Sequence, residues 1–93
     1  MRIDKIKRTL PGAPGYLYPG RVHPEHFRLL ADVSNIYSEK ILIALELFLV
    51  KGLTRQESCD RAGISPSCMS IKLRQLQSLS RAIIEMYPWY ARA

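Results

Sequence analysis

TRQESCDRAGISPSCMSIKLRQLQSLSR, residues 54–81, carries the punctuation of two helices separated by one tight turn. Thr54 is suited to cap a helix, and Glu57, three positions on, can reach back to close a capping box. Gly63 offers the left-handed backbone with which helices commonly end. Ile64 is expected to enter the core as the pivot of the turn. Ser65 then restarts the chain as a second cap, with Pro66 at the first helical position, where a missing N–H does no harm. Cys59 lies four residues before Gly63, where crossing helices leave room only for a compact side chain. Met69 supplies the apolar contact required of the second helix. Helix, tight turn and helix in this order predict a helix-turn-helix over about residues 54–80.

The second helix divides into two unlike faces. At about 100° per residue, Met69, Leu73, Leu76 and Ile83 fall together, flanked by Leu79 and Ser80. Ser67, Ser70, Ile71, Arg74, Gln75 and Ser78 fall opposite, with Lys72 at the margin. A solvated helix in a bundle usually carries Glu–Lys pairs on its outer side. Here no Asp or Glu occurs between Ser65 and Ile84, so a polyanion meets no repulsion. That chemistry favours double-stranded DNA as the partner over a purely structural helix pair.

Charge is distributed unevenly along the 93 residues, whose formal net charge is +6. Residues 1–21 hold five cations (Arg2, Lys5, Lys7, Arg8 and Arg21) against Asp4, a net +4. The remainder holds nine cations and seven acids, a net +2. A leading basic arm of this kind attracts nucleic acid or an acidic surface, or simply solubilises the chain. The segment from Pro11 to Pro24 is interrupted by Gly12, Pro14, Gly15, Pro19 and Gly20 and cannot be a helix. Residues 1–22 are therefore read as an extended arm, ordered where Tyr16, Leu17 and Tyr18 find an apolar groove. Residues 23–93 form the helical domain.

Pro24 opens a short helix, PEHFRLLADV, whose Phe27, Leu30 and Ala31 face inward and which Ser34 and Asn35 break. Ser38 caps a second, SEKILIALELFLVKG, which Gly52 ends. Its apolar residues run round nearly the whole circumference. They extend over about half of the roughly 20 residues a membrane span requires, so a transmembrane reading fails. A helix apolar on all sides must be surrounded. The expected cover is a neighbouring subunit, contacted through Leu42, Leu45 and Leu49; the alternative is that the arm and the C-terminal aromatics cover it. The last helix is expected to continue through RAIIEMY until Pro88 stops it. Tyr87, Trp89 and Tyr90 then make an aromatic tail that either contacts another protomer, through Trp89 and Tyr90, or folds back. No strand is required, and the expected fold is all-α.

The two cysteines, Cys59 and Cys68, form no disulfide framework, and no signal peptide is evident, which favours a reducing cytoplasm. Cys59 reads as a small buried hydrophobe. His23 and His26 lack companion ligands at metal spacing and read as ordinary first-turn residues. Neither a nucleophile–base pair nor a phosphate-cradling glycine loop is present, so neither catalysis nor a small-molecule cofactor is indicated.

LYPGRVHPEHF, SNIYSEKILIALELFLVKG, TRQESCDRAGIS, SIKLRQL and the terminal YPWY together resemble the adhesin-biosynthesis, or fimbrial-operon, transcription regulators of enterobacteria. The resemblance runs from about Leu17 to Tyr90. It implies a small cytoplasmic, nucleoid-associated DNA-binding protein that controls fimbrial genes. It also implies A·T-rich sites with T repeats, occupied by several protomers, and binding through the minor groove. Arg55 and Cys59 match the shared pattern most clearly. Pro66, Ser67 and Cys68 depart from it, which leaves sequence preference open.

Docked as a helix-turn-helix, the second helix sets Ser65, Ser67, Ser70 and Ile71 towards DNA. Ser65 and nearby backbone N–H groups can bind phosphate. Ile71 can meet a thymine methyl, and Arg74 or Gln75 can reach a base edge or the backbone. Arg55 and Arg61 of the first helix, with Lys72, add phosphate contacts. Minor-groove reading calls instead on Arg2, Lys5, Lys7 and Arg8 of the arm, or on Arg55 and Arg74. The competing expectation is a helical protein–protein adaptor whose basic arm binds an acidic partner and whose helix pair is structural.

Overall fold

The computed structural model describes residues 11–91 and shows four helices and no strand among them: α1 (Pro24–Val33), α2 (Glu39–Leu49), α3 (Arg55–Ala62) and α4 (Pro66–Ala91). The arm cations Arg2, Lys5, Lys7 and Arg8 lie outside the described residues.

Each helix begins at a side chain that accepts a backbone N–H. His23 accepts from Glu25 N–H through Nδ1 at 3.1 Å, and Pro24 follows at the first position of α1. Ser38 accepts from Ile41 N–H and starts α2. At its other end α1 is closed by Ser34, whose hydroxyl donates to the Ala31 carbonyl at 2.9 Å.

The hydrophobic α2 sits at the centre. Ala44, Leu45 and Leu49 are wholly buried and Phe48 nearly so. Phe27 and Leu30 of α1, Cys59 and Ala62 of α3, and Met69, Leu73 and Leu76 of α4 complete the core around it. Leu45 and Leu49 are therefore 0% exposed within a single chain, which corrects their expected place at a subunit interface. The chain's own helices cover them, so no second protomer can touch them in the folded state. Leu42 is half-buried and Trp89 and Tyr90 are exposed.

A non-helical strap, residues 13–22, runs across the helices and supplies part of the cover. Leu17 and Val22 are buried from it. The strap also settles the end of α2, where four carbonyl groups lack partners within the helix. Glu46 accepts from Val50 and Lys51, Leu47 from Leu53, Phe48 from Gly20, and Leu49 from Val22, each at 2.9–3.1 Å. Both strap bonds thus replace the helix's missing next turn. On α4, the buried Gln77 holds both backbone groups of Leu17: Leu17 N–H donates to Oε1 at 2.7 Å and Nε2 donates to the Leu17 carbonyl at 2.9 Å. Ser80 donates to the Gly15 carbonyl at 2.6 Å. Gly15 (φ 84°) is required there, because a Cβ would lie 2.9 Å from Ile84 Cγ1 and 3.1 Å from the Ser80 carbonyl.

Pro88 does not stop α4, which runs through it to Ala91. The proline falls in the last turn, where it removes the bond its N–H would have made to the Ile84 carbonyl and crowds that carbonyl with its ring. Every residue from Ile84 to Ala91 is exposed, so water can satisfy that carbonyl. None of the described helices is long and apolar enough to cross a membrane.

Replacing Gln77 with Leu keeps the volume but strands the buried N–H and carbonyl of Leu17. The expected loss is about 2–4 kcal/mol of unfolding free energy, read from urea denaturation. Faster hydrogen exchange at the Leu17 amide should accompany it. Wild-type stability in this variant would show that water replaces the amide without penalty.

Candidate nucleic-acid interface

The geometry around the α3–α4 turn follows from four short-range features. Thr54 Oγ1 accepts from Glu57 N–H at 3.1 Å while Glu57 Oε1 accepts from Thr54 N–H at 3.0 Å, the reciprocal capping box. Gly63 takes φ 76°, ψ 36°, and its N–H closes α3 on the Cys59 carbonyl. Ile64 is half-buried against the core at the turn. Ser65 Oγ accepts from Cys68 N–H at 3.1 Å and opens α4.

Two contacts lock these helices together, and a third ties them to α2. Cys59 Sγ lies 3.3 Å from Met69 Sδ in the crossing, and burial pushes the Cys59 thiol pKa up, so it stays protonated as a packing group. Arg55 Nη1 donates to Ser70 Oγ at 3.1 Å, joining the start of α3 to the first turns of α4. The same guanidinium lies 5.4 Å from the Phe48 ring centroid on α2, within cation–π range. Arg55 remains exposed, yet its head is held in place before any ligand arrives.

With α4 pinned on this side, Ser67, Ile71, Arg74 and Ser78 form one exposed stripe along it, Ile71 at 59% exposure. Ser70, Lys72 and Gln75 are half-buried at its margins, and Ser65 and Arg61 are exposed. No carboxylate belongs to this length of α4. Its N-terminus has few donors to offer. Pro66 has no N–H, the Cys68 N–H serves Ser65, and Met69 N–H donates to the Ser65 carbonyl at 3.1 Å. That leaves the Ser67 N–H and the Ser65 hydroxyl proton for an incoming oxyanion. Arg61 shares its surroundings with acids, because its charge helps lower the pKa of Glu57 on the same helix.

Two supports of this surface had no signal in the helix-face reading. Gln77 is an amide at an inward position next to Leu73 and Leu76, and a polar residue there was its only trace in the sequence. The pairing of Arg55 with Phe48 and Ser70 joins residues of three helices and has no local pattern at all.

A helical fold that holds a cationic, carboxylate-free helix face outward is the build of a small transcription regulator. A family model described as adhesin biosynthesis transcription regulatory protein matches residues 3–90, and the chain belongs to that family, one of regulators and not of enzymes. It is 40% identical over 84 residues to the regulatory protein FanB of Escherichia coli, covering 89% of this chain and 85% of that protein. With the AFA-III adhesin operon regulatory protein of Escherichia coli it shares 38% identity over 76 residues, 82% of this chain and 75% of the relative. The fold matches the crystal structure of Escherichia coli FocB with a TM-score of 0.75 at 28% identity, over 80% of this chain and 84% of that one.

The capping box carries a pH signature. Hydrogen bonds from the Thr54 backbone and side chain, and then the Arg61 charge, hold the Glu57 pKa below the usual glutamate range. A folded pKa below the unfolded one adds stability that is complete above about pH 4.3, the ordinary glutamate value, and is lost as pH falls through the folded value. Glu57→Gln should therefore be less stable than wild type at neutral pH, with the gap closing on acidification below that value. Urea midpoints from pH 7 to 3 give the comparison. A gap that is constant with pH would remove the carboxylate from the capping account.

Proposed function

We propose that the protein acts in the cytoplasm as a DNA-binding regulator of fimbrial genes, laying the N-terminal half of α4 against A·T-rich repeats as several protomers. One observation carries the reading: the exposed stripe Ser67, Ile71, Arg74 and Ser78 lies on a length of α4, up to Ile84, that has no carboxylate, beside the pre-positioned Arg55. The family description refers to adhesin biosynthesis and the AFA-III relative is named for an adhesin operon, and the family resemblance supports A·T-rich sites and shared occupancy.

Duplex phosphates are drawn to Arg55, Arg61, Lys72 and Arg74 by charge, and release of their counterions makes binding salt-dependent. Ser65 donates its hydroxyl proton to a phosphate without giving up its cap, because the cap uses the oxygen as acceptor. Ser67 adds its N–H and Ser70 lies next to Arg55, so the first turn of α4 fixes register on the backbone. Ile71, exposed and apolar between Ser67 and Arg74, fits a thymine methyl where α4 docks in the major groove, and the minor-groove binding that the resemblance implies falls instead to Arg55 and Arg74. Arg74 and Gln75, one turn further on, reach a base edge or the next phosphate. Shared occupancy draws on Leu42, Trp89 and Tyr90, the members of the expected interface that the core does not consume.

Arg74→Ala should weaken binding to an A·T-rich duplex and lower the slope of log affinity against log salt by roughly 1, with helicity unchanged. Ile71→Ser should narrow the preference for A·T-rich over G·C-rich duplex while leaving the salt slope alone. Gel-shift titrations at several salt concentrations measure both. Equal, weak binding of wild type to the two duplexes would favour the adaptor reading instead.

A further inference from the structure

Between α1 and α2, on a part of the surface built from neither α3 nor α4, lies an open groove of about 400 Å³. Its floor is apolar, with contributions from Phe27, Leu42 and the exposed Ile43. Carboxylates line it from both helices: Glu25 and Asp32 from α1, Glu39 and Glu46 from α2. Arg28 is the only cation among the lining residues, so four acids against one cation give a local net charge of −3 in a chain of net charge +6. Arg28 already bonds Glu25 through Nε and Nη2, and Asp32 through Nη1. Glu39 and Glu46 have no ion-pair or side-chain hydrogen-bond partner among the described residues. DNA is repelled from such a surface. A peptide that combines cations with apolar side chains is attracted to it.

The chain contains such a peptide. Residues 1–10, MRIDKIKRTL, set Arg2, Lys5, Lys7 and Arg8 against the single Asp4, a net +3, and interleave Ile3, Ile6 and Leu10. We infer that the α1–α2 groove receives this basic arm from a second copy of the chain. The charges are equal in size and opposite in sign, and the apolar side chains of the arm match the floor. Ten extended residues reach at most about 35 Å, of the order of the molecule's own 42 × 29 × 22 Å extents, so the arm is long enough to extend onto a neighbouring copy. A contact of arm with groove joins unlike surfaces, and where two copies do not close it by exchanging arms it repeats head to tail as an open row of protomers. That geometry suits adjacent repeats on one duplex. The inference rests on the shared occupancy proposed above and adds to Leu42, Trp89 and Tyr90 a further surface for it. It gives the arm a protein partner, leaving DNA to α4.

Charge reversal tests it, in the absence of DNA. Glu39→Lys with Glu46→Lys turns the groove from −3 to +1. Lys5→Glu with Lys7→Glu turns the arm from +3 to −1. In sedimentation velocity at low salt, wild type should self-associate with rising concentration, and each double variant alone should do so about tenfold or more weakly. An equimolar mixture should recover association, because each arm then meets a groove of opposite charge, and added salt should weaken it. Recovery on mixing also shows that both variants are folded. Undiminished association of either variant alone would move the contact elsewhere, for example to the aromatic end of α4, and would overturn the groove while sparing shared occupancy. A wild type that stays monomeric throughout, or a mixture that fails to recover, would overturn the inference; gel shifts on single sites would still report on DNA binding.

Discussion

Enclosing α2 is the constraint on which everything else in this molecule depends. A helix with apolar residues on almost every side and four unpaired carbonyl groups at its end is unstable alone in water. The described residues meet both demands with the same pieces. α1, α3 and α4 take its sides, and the strap takes Phe48 and Leu49 carbonyls while burying Leu17 and Val22. The strap in turn needs an anchor, because an irregular segment that is buried carries peptide groups with no ladder to join. Gln77 provides it by bonding both backbone groups of Leu17. A single amide on α4 thus ties the irregular part of the chain to the regular part.

This arrangement fixes what α4 can do. One side of the helix is committed to α2, to Cys59 and to the strap, so its polar stripe has nowhere to face but outward. Arg55 adds precision by spanning three helices, through Phe48, Ser70 and its own position at the start of α3. Holding a cation in place in the free protein reduces the entropy lost when it meets a phosphate. The carboxylates are placed elsewhere. Half of the eight acidic residues line the α1–α2 groove, while the exposed stripe of α4 has none. Segregating the charges in this way lets one small domain present a face without carboxylates and a face rich in them.

The capping signals of α3 and α4 were legible because they are local. Thr54, Glu57, Gly63 and Ser65 act on backbone groups within four residues, and chemistry at that range is written in the order of residues. The same holds for the inward face of α4, where Met69, Leu73 and Leu76 repeat with the helix. Pro88 was misleading because its penalty depends on what surrounds the freed carbonyl, and an exposed last turn makes that penalty small. Leu45 and Leu49 were misassigned for a related reason. The pattern of α2 says that its surface must be covered, but not by which chain.

By itself, then, the sequence determined that the chain is helical, where its turns fall, and that its last helix keeps a cationic side free of acids. Tertiary structure alone decided that the strap could serve as the missing cover and cap of α2. It also brought Arg55 to Phe48 and Ser70, and the acids of α1 to those of α2. Periodicity and capping act over a few residues and survive in one dimension. Which distant groups share a surface depends on how the helices pack, and that is set only when the core closes.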